Sequence, residues 1–269
     1  MRLRLLIQLW LLFGLISQAH TAFAQGFAAY VSPPRLELRL QAGERKREII
    51  EIQHAGQVDG SYRFYTTDWT MGTDGGATFS NELAPDSCRP WVAIERRQVT
   101  LAPGARYRYR IEVTAPANSP PVECRFALMV EGLDPTKTRS DLSFPVGGRI
   151  AVIVYVIVGN AAPQLELVDA HWLKTAEGTR PVLEVRNTGL AHGRLDGVLT
   201  GKDRSGVSLE WAPIDIPILP GEARKIVLRP LTAAETGAAP PRPVQAPLTL
   251  KGALEWGDQK LPIDLTLPP

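Results

Sequence analysis

The sequence predicts an all-β protein of two β-sandwich domains behind a removable leader, and three observations predict it. Nearly every periodic segment alternates apolar and polar residues with period two, the mark of a half-buried strand. The 23 glycines and 23 prolines fall largely between those segments, where they make turns. The strand series stops at Gly159-Asn160-Ala161-Ala162-Pro163 and then starts again. With 269 residues, 44% of them hydrophobic, there is enough apolar surface for a core, and no amphipathic helical pattern of ten or more residues interrupts the β signal.

Residues 1–24 read as a signal peptide. Arg2 and Arg4 precede an apolar run from Leu5 to Ile16, and Ala22-Phe23-Ala24 offers an A-x-A cleavage site before Gln25. The run is roughly 12 residues, against the ~20 needed to cross a bilayer. No later segment reaches that length, so no membrane span is expected after cleavage. Removing Arg2 and Arg4 from the 30 basic residues leaves as many as the 28 acidic ones. A chain so balanced lacks the basic excess of a nucleic-acid binder.

The first domain is expected over residues 25–159. Arg35–Leu40 puts Leu36, Leu38 and Leu40 on one face and Arg35, Glu37 and Arg39 on the other. Further strands are expected at Glu48–Gln53, Ser61–Asp68, Val92–Leu101, Arg106–Val113, Glu123–Glu131 and Gly148–Val158. In Arg106–Val113, Tyr107, Tyr109, Ile111 and Val113 point inward. The outward row Arg106, Arg108 and Arg110 reads as a solvated face that discourages edge pairing, with anion binding as the sharper alternative. Cys88 and Cys124 are an even pair in an exported chain, which reads as a disulfide. Closing a loop of about 36 residues would contribute on the order of 3–4 kcal/mol. That structural bridge is favoured over a Cys88 nucleophile served by a histidine.

The second domain is expected over residues 164–269, with strands at Gln164–His171, Pro181–Arg186, Arg194–Thr200, Ser208–Trp211, Ala223–Arg229, Leu248–Trp256 and Lys260–Leu267. The Pro/Ala-rich stretch Thr232–Pro247 reads as a loop. Leu101-Ala102-Pro103-Gly104-Ala105-Arg106 and Leu219-Pro220-Gly221-Glu222-Ala223-Arg224 each precede an alternating strand. Proline presets φ and glycine accepts a positive φ, so both pairs predict tight turns. A duplication and a generic β-turn habit both account for the repeat.

Catalytic signatures are not found. There is no G-x-S-x-G, no H-E-x-x-H and no phosphate-binding glycine loop. His54, His171, His192 and the two cysteines show no C-x-x-C or H-x-x-x-H spacing, so no metal site and no cofactor are expected.

Several residues in order resemble a known family. Val31-Ser32-Pro33-Pro34-Arg35-Leu36-Glu37-Leu38 is followed by a Gly-Glu turn and an apolar strand. Then come Pro90-Trp91-Val92, Leu101-Ala102-Pro103-Gly104, Pro116, Cys124-Arg125-Phe126-Ala127-Leu128 and a long apolar strand. Residues 28–158 thereby resemble the N-terminal domain of the PapD-like periplasmic chaperones, which assemble pili through an outer-membrane usher. Members of that family are β-sandwiches, and their complexes with pilins rest on strand complementation. The resemblance implies two immunoglobulin-like β-sandwich domains, a periplasmic location, an exported pilus or surface-structure subunit as partner, and an outer-membrane usher as a further one. It implies no enzymatic activity. In that family an arginine on the first strand and a lysine on the last strand of the first domain anchor the client's C-terminal carboxylate. Arg35 matches the arginine. The lysine is absent, and Tyr155 stands near its place, able to donate a hydrogen bond but carrying no charge.

The strand Ile150–Val158 is apolar on both faces. One reading buries it on both sides, under a loop or the second domain. The other makes it an edge strand that lends its backbone to an incomplete client sheet, with Ile150, Val152, Val154 and Tyr155 alongside Arg35 as client-binding residues. The corresponding functions are a periplasmic chaperone that binds an exported subunit by β-strand addition, or a non-chaperone binding or scaffold module of a surface-assembly system. Arg35 and the apolar strand favour the first, and the missing lysine favours the second.

Overall fold

The structure, a computed structural model, describes residues 27–133, 148–175, 178–232 and 244–269. The expected leader, and most of the expected loop Thr232–Pro247, lie outside the described residues.

The first ten strands are β1 (Ala29–Ser32), β2 (Arg35–Leu40), β3 (Arg45–His54), β4 (Gly60–Met71), β5 (Ala77–Ser80), β6 (Val92–Ile94), β7 (Gln98–Leu101), β8 (Arg106–Thr114), β9 (Val122–Gly132) and β10 (Arg149–Val158). They form two sheets. One has the order β1-β3-β8-β6; the other runs β2-β10-β9-β4-β5, with β7 also on β4. The opening strand changes sheets at Pro33-Pro34: β1 pairs with β3, and β2 runs parallel to β10. Two consecutive prolines offer no N–H to a ladder, so the pairing must break there and can resume elsewhere. The expected single strand Val92–Leu101 likewise divides, β6 joining β8 and β7 joining β4.

One core fills the space between these sheets. Leu38, Ile50, Ile52, Phe64, Tyr109, Ile111, Phe126, Leu128, Val152 and Val154 are all buried in it. Phe64 and Tyr109 stack with ring centroids 4.1 Å apart. Cys88 and Cys124 are joined in a disulfide with Cα atoms 5.7 Å apart, linking the approach to a short 3-10 turn at Arg89–Trp91 with β9. The inward set Tyr109, Ile111 and Val113 of β8 is buried as its alternation predicts. Outward, Arg106 faces Glu51 at 3.5 Å and Arg47 hydrogen-bonds Glu112 at 2.6 Å, so acids interleave the basic row. Gly104 and Gly221 both take positive φ, 72° and 77°, as the Pro-Gly turns require.

Seven more strands follow: β11 (Leu165–Thr175), β12 (Gly178–Asn187), β13 (Leu199–Asp203), β14 (Ser208–Pro213), β15 (Ala223–Pro230), β16 (Leu248–Trp256) and β17 (Gln259–Leu267). They make one sheet in the order β11-β12-β15-β14-β13-β16-β17. The two layers of this sheet are joined through β15, which pairs with β12 over Ala223–Val227 and with β14 over Leu228–Pro230. All seven strands contribute to a single core around Trp211, Leu183, Ile226 and Leu250. The ends of the sheet meet where the Trp172 indole donates to the Pro268 carbonyl at 2.7 Å. The expected strand Arg194–Thr200 begins only at Leu199; the preceding residues hold single bridges, Gly193 to Ile218 and Asp196 to Glu255.

Candidate functional site

The site is the outward face and free edge of β10, where the two sets of sheets meet. Along β10, Val152, Val154, Val156 and Val158 point into the first core. The alternate residues point out: Tyr155 joins Trp69, Ala127, Met129 and Leu219 in a second cluster, while Ile157 packs on Ala161 and Ala191. Leu219, Ala191 and Ala161 lie beyond Val158, so the far half of the strand is covered from both sides. This is why the strand carries no polar face. The expectation of a solvent-facing client row at Val152 and Val154 is thereby corrected: both are fully buried in the core, because the period-two count places them inward. Ile150 shares their side of the strand and is half-buried.

The near half of β10 is different. β2 pairs only with Ile153–Val158, and the Ile153 N–H donates to the Pro34 carbonyl at 3.1 Å. Backbone groups alternate in direction along a strand, so Arg149 and Ala151 aim theirs to the same side as Ile153. Among the described residues no strand meets them there. Next to this edge, Ala151, Ile153, Tyr65, Met71 and Phe79 form a half-buried apolar surface around Trp69 and Met129.

A polar cleft continues from the apolar surface. Arg35 is exposed at the start of β2, 3.6 Å from Glu37 and 3.7 Å from Asp215 in the irregular segment between β14 and β15. Asp215 also accepts from Arg194 at 2.6 Å. Partial burial works to raise the Asp215 carboxyl, but the Arg194 hydrogen bond, with the charges of Arg194 and Arg35, holds it below the usual carboxylate range. Burial pushes the Tyr155 hydroxyl up from the ordinary phenol value, against the pull of Arg194. Tyr155 stacks on His192 with centroids 3.8 Å apart and meets Trp69 edge-on at 5.7 Å. Arg125 lies across the ladder from Tyr155 and over the Trp69 ring.

Three donors in this cleft have no acceptor among the described residues: the Nε atoms of Arg125 and Arg194 and the indole nitrogen of Trp69, all buried. Trp69 and Arg125 also border a cavity of about 350 Å³ against Asp68, Leu83 and Ser87. Buried polar groups are normally paired, so these donors stand out, as does the likewise unpartnered Oε1 of Glu123 next to Arg125. Of the residues singled out from sequence, Arg35 and Tyr155 lie along this cleft, whereas the side chains of Ile150, Val152 and Val154 turn to the other face of β10. Arg125, Arg194, His192 and Asp215 were not singled out from sequence as binding residues. Arg125 sits in a strand that reads as core, and the other three lie in irregular segments of the second domain that no periodicity marks.

No protein-family model matches the chain, and no curated protein sequence matches it. Solved structures do. The chain is similar to the class 5 fimbriae chaperone CfaA, with 14% identity over 90% of this chain and 99% of that one and a TM-score of 0.49. It is similar to the E. coli chaperone DraB, with 13% identity over 91% and 98% and a TM-score of 0.47. The Salmonella enterica SafB chaperone structure, in complex with SafA pilin, gives 11% identity over 91% and 99% with a TM-score of 0.47.

Proposed function

We propose that the protein is exported and holds a subunit of a surface structure by β-strand addition along Arg149–Val152 of β10, in the manner of a periplasmic pilus-assembly chaperone. The observation that carries this reading is the edge of β10 at Arg149–Val152, which no strand among the described residues pairs, continuous with the apolar surface of Ala151, Ile153, Tyr65, Met71 and Phe79. A strand added there gains main-chain hydrogen bonds, and its alternate side chains bury the apolar surface. An acidic group of the client, such as a chain-terminal carboxylate, then meets Arg35, Arg194 and Arg125. The two arginines beside Tyr155 supply the positive charge that Tyr155 does not carry, and charge-assisted hydrogen bonds are the strong ones.

The second reading, a scaffold module without strand addition, is favoured by one observation: Ile153–Val158 is already paired on both sides, which leaves a short template. Affinity purification from periplasmic extract separates the two. Strand addition predicts a stoichiometric client that is lost from Ile153→Asp and weakened in Arg35→Ala by about 1.5–3 kcal/mol, the worth of a charged hydrogen bond. A partner that binds both variants as tightly as wild type establishes the scaffold reading instead.

A further inference from the structure

The outer side of the seven-stranded sheet gathers three side chains that chelate metals. Asp169 and His171 stand two residues apart on the edge strand β11, and Glu184 faces Asp169 from β12. One ligand atom from each lies within 4.8 Å of the others. The His171 ring already meets Asp169, Nδ1 to Oδ2 at 3.0 Å.

The arrangement depends on an irregularity. The β11–β12 register shifts between Leu167 and Asp169. Before it, Leu165 and Leu167 face the core; after it, Ala170 and Trp172 do. Unbroken alternation would have turned Asp169 and His171 inward. The bulge turns both outward, onto the face that carries Glu184, and bulges re-aim side chains in this way beside functional sites.

Charge points in the same direction. Asp169 and Glu184 are a directly opposed cross-strand pair of like charges, which is destabilising unless a cation intervenes. Lys225 is the register partner of Glu184 on its other side, but among the described residues Glu184 makes no ion pair. Lys225 therefore offsets Glu184 only in part, and Asp169 has the histidine as its one cationic neighbour in the cluster.

We propose that Asp169, His171 and Glu184 bind one divalent transition-metal ion of the zinc class on the surface of the second domain. One imidazole and two carboxylates are a borderline donor set that suits zinc better than calcium or magnesium, whose sites are built from oxygen alone. Ligands at zinc bond lengths of about 2.0–2.2 Å stand roughly 3.4 Å apart in a tetrahedron, so a small rotation of exposed side chains closes the set. A three-ligand site leaves a coordination position for water or for a donor from a partner. This revises the expectation of no metal site, which rested on spacings within a single segment. Here the third ligand comes from the adjacent strand.

Isothermal titration of the untagged protein with Zn²⁺ tests the site, with melting curves in chelator to confirm that each variant is folded. The expected result is one ion per chain. His171→Ala, Asp169→Asn and Glu184→Gln should each weaken binding at least tenfold, and Ca²⁺ should bind far more weakly. Zn²⁺ should also raise the melting temperature of the wild type but not of His171→Ala. Absence of uptake by wild type overturns the proposal. So does uptake that the three substitutions leave unchanged, or Ca²⁺ binding as tight as Zn²⁺ binding.

Discussion

Single side chains decide the character of the cleft. Tyr155 takes the position where the family resemblance places a cation, and its ring is spent on packing between Trp69 and His192. Charge comes from Arg125 and Arg194, which face Glu123 and Asp215 and whose buried Nε atoms have no acceptor among the described residues. Asp215 lies between Arg194 and Arg35 and pairs with both. Its folded-state value is depressed, so the ion-pair contribution is present above the unfolded carboxylate pKa of about 3.9 and is lost as pH falls through the folded value. Denaturant titrations at pH 7 and pH 3 should show wild type losing more stability on acidification than Asp215→Asn. The difference should be about 0.2–1 kcal/mol, as for other exposed pairs. Equal losses would show that Asp215 has no pairing energy to lose.

At the scale of the element, β10 is one strand with two environments. Its inward residues belong to the core throughout, whereas its outward residues pass from half-open at Ala151 and Ile153 to sealed at Tyr155 and Ile157. Adjacent residues should therefore answer the same substitution differently. Val154→Asp buries an unpaired carboxyl in the first core and should leave no cooperative melt near the wild-type temperature. Ile153→Asp, one residue earlier and on the half-open face, should fold with a modest loss and forfeit client binding. Circular dichroism melts of the pair check the geometry with no client present. Two equal losses of structure would mean that the outward face is as closed as the inward one.

Across the whole molecule, the two sets of sheets are joined by more than the chain between them. His192 reaches from the second domain to Glu123 on β9, with backbone N to Oε2 at 2.8 Å and Nδ1 to Oε2 at 2.6 Å. Glu123 returns its own N–H to the Leu190 carbonyl at 3.1 Å. On the opposite flank, Arg224 donates to the Gly72 carbonyl at 2.8 Å. These bonds tie one set of sheets to the other. His192→Ala should cost roughly 1–3 kcal/mol, because the buried Glu123 side chain would lose the imidazole and keep only the residue-192 N–H and Arg125. It should also broaden the distribution of domain orientations seen by small-angle scattering. If the variant scatters as wild type does, the remaining contacts suffice and His192 serves stability alone.

Much of this architecture is legible in the chain. The alternation in Arg35–Leu40 and Arg106–Val113 corresponds to β2 and β8 almost residue for residue, because a half-buried strand must segregate polar from apolar side chains. The Pro-Gly turns and the Cys88–Cys124 pair follow from local chemistry and from counting. The short strands β1 and β5 are not legible, since four residues carry too little periodicity. Alternation also cannot say which face of β10 is inward, because both faces are apolar and the second domain supplies the cover for one of them. The donors of the cleft and the Asp169–His171–Glu184 cluster are hidden for a related reason. Their members are far apart in sequence or sit on separate strands, and only strand register and the packing of one domain on the other bring them within reach. Sequence by itself determined the strands, their turns and the bridge, which depend on neighbours a few residues away. Tertiary structure alone decided which edge stayed open and which charges faced each other, because burial and Coulomb energy depend on distance in space.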